Sequence, residues 1–258
     1  MKTMPNRLDQ EQVLAMNTID HIRGLTPSDY DNRRMSPEEL RHIGEVCQAI
    51  WFHSGDNSAP HAELTSGKCS DGFVDTLRIL RFSNLCTILA EQLARVIRQQ
   101  SRYNYSTGDH GIGWVVGSDH AGAVFSHEVA RLFNTQHDFT EKGPNKTQEW
   151  KRFTIDPDEL ILQVEELVTT TGTLQAVRDG IRAFPEHKQH PVKFADVVAT
   201  LVHRSTVYEF EDAPILHFVH YDIAVWEPDQ CPLCKAGSPR IKPKAGANWA
   251  LLTGKTAR

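Results

Sequence analysis

The stretch ILQVEELVTTTGTLQAV, residues 161–177, combines three sequence patterns in one short segment. It begins with an apolar run typical of a buried strand and continues with two adjacent acids, Glu165 and Glu166. Four threonines around Gly172 follow, and the last residues have the composition of a helix. The stretch therefore predicts a strand, a polar turn and a helix in direct succession.

The same order of strand, turn and helix occurs on the N-terminal side of this stretch. Residues 111–116, GIGWVV, predict a strand that is followed by the turn GSDHAG and the helical pattern AVFSHEVARLFN. Residues 82–100 predict an amphipathic helix, and residues 194–204 and 215–226 contain further apolar strands. Short apolar strands that alternate with helices favour an α/β fold with a mainly parallel sheet.

The acid pair and the threonine-rich turn predict a binding site. Ligands of an open parallel sheet bind beyond the carboxyl ends of its strands, and the two acids are predicted at such an end. Alternation along the strand predicts that their side chains point to opposite faces. Carboxylates here can accept hydrogen bonds from vicinal sugar hydroxyls or help to hold a hard cation, and N–H groups at a helix N-terminus favour a phosphate. The predicted phosphate turn comprises Thr169, Thr170, Thr171, Gly172 and Thr173. A solvated acidic turn with a threonine N-cap is the alternative interpretation.

The order of apolar strand, two acids, two apolar residues and Thr-Thr-Thr-Gly-Thr resembles the phosphoribosyl pyrophosphate motif of the type I phosphoribosyltransferases. Two positions depart from that motif. Glu166 stands where the second acid is usually Asp, and Thr171 stands where Gly is common, which predicts a less free loop backbone. The resemblance implies a mainly parallel central sheet flanked by helices, with an N-terminal hood and a C-terminal extension.

A second segment, residues 117–122, has the layout of the pyrophosphate loop in that family. Small residues let the backbone approach a diphosphate, and the following helix N-terminus favours its negative charge. The candidate ligand-binding residues of this loop are Gly117, Ser118, Asp119 and His120. His120 as an exposed bystander is the alternative.

Residues 138–150, DFTEKGPNKTQEW, resemble the flexible catalytic loop of the family, whose basic residues close over pyrophosphate. Lys142 and Lys146 are the candidates for that role, and a solvated charged loop is the alternative. The loop lacks the denser basic cluster and the His-Gly that are usual in the orotate enzymes.

The segment ELTSGKCSDGF, residues 63–73, resembles the hood of orotate phosphoribosyltransferases and gives Lys68 and Phe73 as candidate base-binding residues. Residues 199–205, ATLVHRS, resemble the strand end where those enzymes have an Asp-Arg pair. Arg204 would then meet the orotate carboxylate, for which a guanidinium group is well suited. His203 stands where Asp is usual, and a surface ion pair is the alternative role for Arg204.

The resemblance implies a reaction that joins a nucleobase, orotate in the leading interpretation, to phosphoribosyl pyrophosphate with release of pyrophosphate, in pyrimidine nucleotide synthesis. Magnesium is the implied cofactor. It would arrive with the substrate near Glu165 and Glu166, and we assign no direct protein ligand to it. Catalytic roles are predicted for these two acids and the two loop lysines, and the implied assembly is a homodimer. A sensor of phosphoribosyl pyrophosphate without catalysis and an enzyme for a different base are the alternatives.

Composition and cysteine content restrict the other partners. A formal charge of −5 gives no basis for a nucleic-acid or membrane-surface partner. Five scattered cysteines and an N-terminus without a signal-peptide pattern predict a reducing, cytoplasmic location. Cys231 and Cys234 have the spacing of half a zinc knuckle, but no second cysteine pair exists. The nearby His217 and His220, three positions apart on a strand, should face opposite sides, so two reduced thiols are the favoured interpretation.

The pattern along the chain predicts three regions. Residues 1–60 predict a helical extension, including a helix capped by Ser36. Residues 61–228 predict the phosphoribosyltransferase domain, with the hood at about 61–80. Residues 229–258 predict a tail that contains Cys231 and Cys234 and lies over the surface.

Overall fold

The computed structural model describes residues 8–31, 33–103 and 111–254. These residues form two compact units, each assembled from separate parts of the chain. The first unit comprises residues 25–35 and 80–221, and the second comprises residues 8–24, 36–79 and 222–254. The predicted regions 1–60, 61–228 and 229–258 stay a prediction about functional domains, since compactness alone does not test it.

The described residues contain ten α-helices, two 3₁₀ helices and fourteen strands. The α-helices are α1 Gln10–Leu14, α2 Ile19–Arg23, α3 Pro37–Val46, α4 Leu77–Leu80, α5 Ser83–Gln100, α6 Ala121–Phe133, α7 Gly172–Ala183, α8 Pro185–Gln189, α9 Pro232–Lys235 and α10 Asn248–Thr253. The 3₁₀ helices are Pro27–Tyr30 and Pro144–Lys146. The strands are β1 Ile50–Phe52, β2 His61–Glu63, β3 Cys69–Ser70, β4 Gly72–Val74, β5 Ile112–Gly117, β6 Gln136–Phe139, β7 Glu141–Lys142, β8 Gln148–Glu149, β9 Leu160–Val168, β10 Lys193–His203, β11 Glu209–Phe210, β12 Ala213–His220, β13 Val225–Trp226 and β14 Arg240–Ile241.

A six-stranded sheet in the order β11-β12-β10-β9-β5-β6 forms the centre of the first unit. Five neighbouring strands, from β12 to β6, are parallel, and the two-residue edge strand β11 is antiparallel to β12. The prediction of an α/β fold with a mainly parallel sheet is confirmed. Because the strands are parallel, the carboxyl ends of β5, β9 and β10 lie at one edge of the sheet.

Helices flank this sheet, as the apolar periodicity of the sequence predicts. Helix α6 contacts β5, β6 and β9, while α5 contacts β10 and β12. Helix α7 packs its Val177 and Ile181 into a cluster with Trp114, Val116 and Ile161 of the sheet. Burial of these side chains is the main favourable contribution to the stability of the unit. Among the described helices, none has the length and apolar character of a membrane span.

The second unit contains a four-stranded sheet in the order β13-β3-β2-β14 and the pair β1-β4. Its helix α3 begins with the predicted capping box, in which the Ser36 hydroxyl accepts from the Glu39 N–H. The prediction that the C-terminal tail lies over the surface is wrong. Trp249 and Leu252 of α10 are buried with Phe73, and the Trp51 indole N–H donates to the Leu252 carbonyl. Their apolar side chains complete the core of this unit.

Candidate functional site

Glu165 is a buried carboxylate near the end of β9. Its side chain is 2% exposed, and its Oε2 accepts a 2.6 Å hydrogen bond from the Ser118 hydroxyl. Among the described residues, no hydrogen-bond donor reaches its Oε1. Burial, together with the neighbouring Glu166, raises the pKa of Glu165 well above its ordinary value. A diol or a cation that reached this oxygen would therefore meet an acceptor with unused capacity.

Gly122, in the first turn of α6, brings this helix against both acids of β9. A Cβ at Gly122 would lie 3.0 Å from Oε2 of Glu165, 3.3 Å from Oε2 of Glu166 and 2.5 Å from Oγ of Ser118. Both carboxylates therefore reach the same glycine, and the prediction that they point to opposite faces is wrong. Alternation orients the Cα–Cβ bonds, but the longer glutamate side chains can turn toward the gap that a missing Cβ leaves.

The loop between β5 and α6 is shaped by its small residues. A Cβ at Gly117 would lie 2.6 Å from the Gly122 carbonyl oxygen, so only glycine permits this close turn. His120 has φ +62° and ψ −113°, a backbone conformation that is unfavourable for a residue with a side chain. Its Nδ1 lies 2.9 Å from Oδ2 of Asp119, whose Oδ1 accepts from the Gln148 side chain. Unfavourable backbone geometry concentrates at functional sites, which fits the predicted role of this loop.

The threonine-rich turn leads directly into α7. Thr169, Thr170 and Thr173 are exposed, and the first-turn N–H groups of a helix have no intrahelical acceptor. Thr171 has φ −78° and ψ 0°, which any residue adopts without strain. Thr171 therefore fits this turn without backbone strain, and the predicted lower freedom of the loop stays a prediction. The turn keeps the exposed hydroxyls and the helix N-terminus that a phosphate group requires.

A buried polar network holds β9 and α7 together, and no pattern in the sequence predicts it. The Arg178 side chain is 3% exposed and donates to Oε1 of Gln163, two residues before the first acid. Its guanidinium also binds Glu211 at 2.7 Å, and Arg182 binds the same carboxylate. Hydrogen bonds from Arg182, then from Arg178, lower the pKa of Glu211 to about 2. The network fixes the strand that carries the acids against the helix of the phosphate turn.

The predicted catalytic loop is a short hairpin in which β7 and β8 pair antiparallel. Lys142 and Lys146 are both exposed. The hairpin is held by an ion pair of Lys151 with Glu141, and Gly180 of α7 leaves room for the backbone at Gln148. It starts beside the predicted pyrophosphate loop, because the Thr140 N–H donates to the Gly117 carbonyl. The mobility of this segment and the roles of the two lysines stay predictions.

Arg204 follows the end of β10 at the same edge of the sheet, since its N–H donates to the Val168 carbonyl at the end of β9. The preceding His203 is fully buried. Its Nε2 lies 3.0 Å from the Val207 carbonyl, which fixes a proton on that nitrogen. Its Nδ1 then accepts from Nδ1 of His220 at 2.9 Å. Burial lowers the pKa of His203, so it is a neutral ring.

Lys68 and Phe73 belong to the second unit. The Lys68 ammonium pairs with Glu227 at 2.7 Å, and Phe73 is buried with its ring centroid 6.1 Å from that of Trp249. Their predicted contact with a base stays a prediction.

The cysteine pair of the tail has two further ligand-type neighbours. His61, Cys69, Cys231 and Cys234 bring their ligand atoms within 4.8 Å of one another. The pair therefore has two further residues beside it that could act as ligands, and the interpretation of two reduced thiols stays a prediction. His217 and His220 belong to the first unit. The centroid of each ring lies 5.1 Å from that of the buried His203. Both rings therefore contact the same side chain, and the predicted opposite orientation is wrong.

Comparison with known proteins shows the family to which the chain is related. No family model matched it. An orotate phosphoribosyltransferase from Thermotoga petrophila is 30% identical over 183 residues, which cover 71% of this chain and 89% of that protein. The chain belongs to the orotate phosphoribosyltransferase family. A family member from Caldanaerobacter subterraneus is 29% identical over 209 residues, which cover 81% of this chain and 97% of that protein.

Among solved structures, the orotate phosphoribosyltransferase of Aeropyrum pernix superposes with a TM-score of 0.52 and 14% identity, over 70% of this chain and 93% of that one. This match supports the fold alone. Membership of the orotate phosphoribosyltransferase family confirms the predicted family and the predicted enzyme class, a pentosyltransferase. The roles of individual site residues stay predictions.

Proposed function

We propose that the chain transfers the phosphoribosyl group of phosphoribosyl pyrophosphate to orotate and releases pyrophosphate, as a step of pyrimidine nucleotide synthesis. The observation that carries the proposal is the convergence of Glu165 and Glu166 on Gly122, beside the turn that begins α7. Acceptors for a diol, N–H groups for a phosphate and a glycine-lined loop for a diphosphate then lie at one edge of the sheet. A phosphorylated ribose with a diphosphate requires these three groups together.

Each part of the site has a distinct task in this proposal. The two glutamates accept hydrogen bonds from the ribose hydroxyls, and residues 169–173 hold the 5′-phosphate at the N-terminus of α7. Residues 117–120 bind the pyrophosphate through backbone N–H groups, and Lys142 or Lys146 steadies its charge as it leaves. Positive charge develops at C1 of the ribose when the bond to pyrophosphate breaks. Catalysis then comes mainly from positioning and from electrostatic stabilisation.

The acid pair also fits magnesium, the proposed cofactor. Glu165 offers a buried oxygen that no donor reaches among the described residues, and Glu166 brings a second carboxylate to the same place. Magnesium prefers oxygen ligands and keeps several waters, so it would be held by one or two carboxylates and the substrate. When bound, it would neutralise charge on the diphosphate. A cation here would also favour the ionised form of Glu165.

The residues predicted to bind the base depart from the motif of the orotate enzymes. His203 takes the position of an Asp and is neutral, so it adds no negative charge beside Arg204. A neutral neighbour favours binding of the anionic carboxylate of orotate by the guanidinium group. The histidine ring also changes the shape of this strand end, which makes a different base the second candidate.

The test is an assay of the full chain with phosphoribosyl pyrophosphate, magnesium and a panel of purine and pyrimidine bases, in which pyrophosphate release is followed. We expect release with orotate. Release with a different base only would show that this base, and not orotate, is the substrate. Binding of phosphoribosyl pyrophosphate without any release would indicate a sensor. Glu165→Gln should release much less pyrophosphate, and full release by this variant would contradict the role proposed for Glu165.

The proposal includes a homodimer in the cytoplasm. Sedimentation equilibrium gives the assembly directly, and a monomer at assay concentration with full activity would contradict this part.

A further inference from the structure

The second unit contains a compact cluster of three thiols and one imidazole. Cys69 lies on β3 and His61 on β2, while Cys231 is the N-cap of α9 and Cys234 lies within this helix. Cys69, Cys231 and His61 are fully buried, and Cys234 is partly buried. The cluster joins two parts of the chain that are separated by 165 positions between Cys69 and Cys234.

The distances between the ligand atoms fit a tetrahedral ion better than a disulfide. The Cys69 and Cys234 sulfurs are 3.6 Å apart, whereas a disulfide bond is about 2.05 Å long. Nε2 of His61 lies 3.7 Å from the Cys231 sulfur and 3.4 Å from the Cys234 sulfur. With zinc–sulfur bonds of about 2.3 Å and zinc–nitrogen bonds of about 2.0–2.1 Å, tetrahedral angles give edges of about 3.8 Å between sulfurs and about 3.6 Å between sulfur and nitrogen.

The hydrogen bonds around His61 orient it as a metal ligand. The Ser238 hydroxyl donates to the Ala59 carbonyl at 2.6 Å, so its oxygen is left to accept from Nδ1–H of His61 at 2.8 Å. Nε2 then carries a lone pair, and this lone pair faces the thiols. Metal-binding histidines commonly have such a fixed partner on the other ring nitrogen.

Two polar groups contact the sulfurs of the cluster. The Cys234 N–H points to the Cys231 sulfur at 3.4 Å, which stabilises negative charge on that sulfur. The Arg240 guanidinium lies at the Cys69 sulfur and pairs with Glu63 at 3.1 Å. Three thiolates and one divalent cation carry a net charge of −1, so the cation would compensate most of the charge of its ligands.

We propose that His61, Cys69, Cys231 and Cys234 bind one structural zinc ion. Soft sulfur ligands with one imidazole in a tetrahedral arrangement select zinc, and four protein ligands leave no position for a substrate. The ion holds the β2–β3 hairpin to residues 231–241. The ion pair between Lys68, which precedes Cys69, and Glu227 spans the same two parts of the chain. Zinc therefore fixes the position of the predicted base-binding lysine relative to the tail.

The first measurement is the zinc content of the purified full chain by elemental analysis. We expect about one zinc per chain, and at least a fivefold lower content in Cys234→Ser. Cys47→Ala is the matched control, since Cys47 is a buried thiol of the same unit outside the cluster, and it should retain the wild-type content. Wild-type zinc below about 0.2 per chain, or equal content in wild type and Cys234→Ser, would overturn the proposal.

A second set of measurements uses the wild-type chain and therefore does not depend on whether Cys234→Ser folds. Removal of metal with a strong chelator should lower Tm, and zinc chloride should restore it while magnesium chloride does not. Cobalt added to the chelated chain should give the intense visible absorption of a tetrahedral thiolate site. Titration of thiols in denaturant with chelator should find all five cysteines reduced. Two thiols fewer would indicate a disulfide in place of the metal site and would overturn the proposal.

Discussion

Gly122→Ala tests the arrangement of the two acids, because the new methyl group would occupy the space into which both carboxylates reach. Without a clash, alanine in a helix is favoured over glycine by about 0.5–1 kcal/mol. Here the Cβ would lie 2.5 Å from Oγ of Ser118 and 3.0 Å from Oε2 of Glu165. Rotation of the serine about χ1 relieves this contact, and the rotation breaks its 2.6 Å hydrogen bond to Glu165.

Loss of a donor to a buried acceptor costs about 1–3 kcal/mol. Subtracting the gain in helix propensity leaves about 0–2.5 kcal/mol, so we expect the free energy of unfolding of Gly122→Ala to fall by about 1 kcal/mol and Tm by about 2–4 °C. Displacement of the acids should lower kcat/KM for phosphoribosyl pyrophosphate by about tenfold or more, since 1.4 kcal/mol corresponds to a factor of ten.

The assay combines thermal unfolding with steady-state pyrophosphate release. Val124→Ala is the control, because this side chain is 52% exposed on the same helix and its replacement introduces the same residue. If Gly122→Ala keeps the wild-type Tm and a kcat/KM within twofold, or changes no more than the control, the inferred convergence of the carboxylates is refuted.

Three further predictions concern the same unit. Glu166→Gln should weaken binding of phosphoribosyl pyrophosphate, measured by calorimetry, more than Thr171→Gly does, because Thr171 has an ordinary backbone conformation; equal and negligible effects would contradict the assignment. Burial and Glu166 raise the pKa of Glu165 above its ordinary 4.5, so the folded chain binds this proton more tightly than the unfolded chain does, and stability should decline as pH rises above 4.5. Glu165→Gln should reduce this decline in urea unfolding between pH 5 and pH 8 without magnesium, and an unchanged slope would count against it. Glu211→Ala should cost about 3 kcal/mol in the same assay at pH 7, because it leaves the buried Arg178 without its carboxylate; a loss below about 0.5 kcal/mol would show that the pair contributes little.

The fold and the order of strand, turn and helix in residues 161–177 were predictable because their signals are local. Residues 161–177 contain the end of a strand, two acids and the start of a helix in one continuous stretch, and the structure keeps this order from β9 into α7. The neighbouring apolar runs are long enough to show strand and helix periods. The tail was predicted incorrectly because its Trp249 is buried by residues almost two hundred positions earlier in the chain.

The geometry of the acids was not predictable, because it depends on contacts between separate parts of the chain. Ser118 and Glu165 are 47 positions apart, and the hydrogen bond between them forms because the loop after β5 meets the end of β9. The sequence shows that residue 122 is small, but it does not show which side chains contact it. The network of Gln163, Arg178 and Glu211 was missed for the same reason, since a buried arginine and a surface arginine look alike in a sequence.

The cysteine cluster could not be predicted from the periodicity of the sequence. A Cys-x-x-Cys alone is compatible with free thiols, a disulfide or half of a metal site, and the missing ligands decide among them. Here those ligands are supplied by pairing between very short strands, β14 with β2 and β2 with β3, and both β3 and β14 have two residues. Alternation needs at least four residues to be recognised. His61 and Cys69 therefore could not be connected to Cys231 and Cys234 by any pattern, although the register of these strands brings all four together.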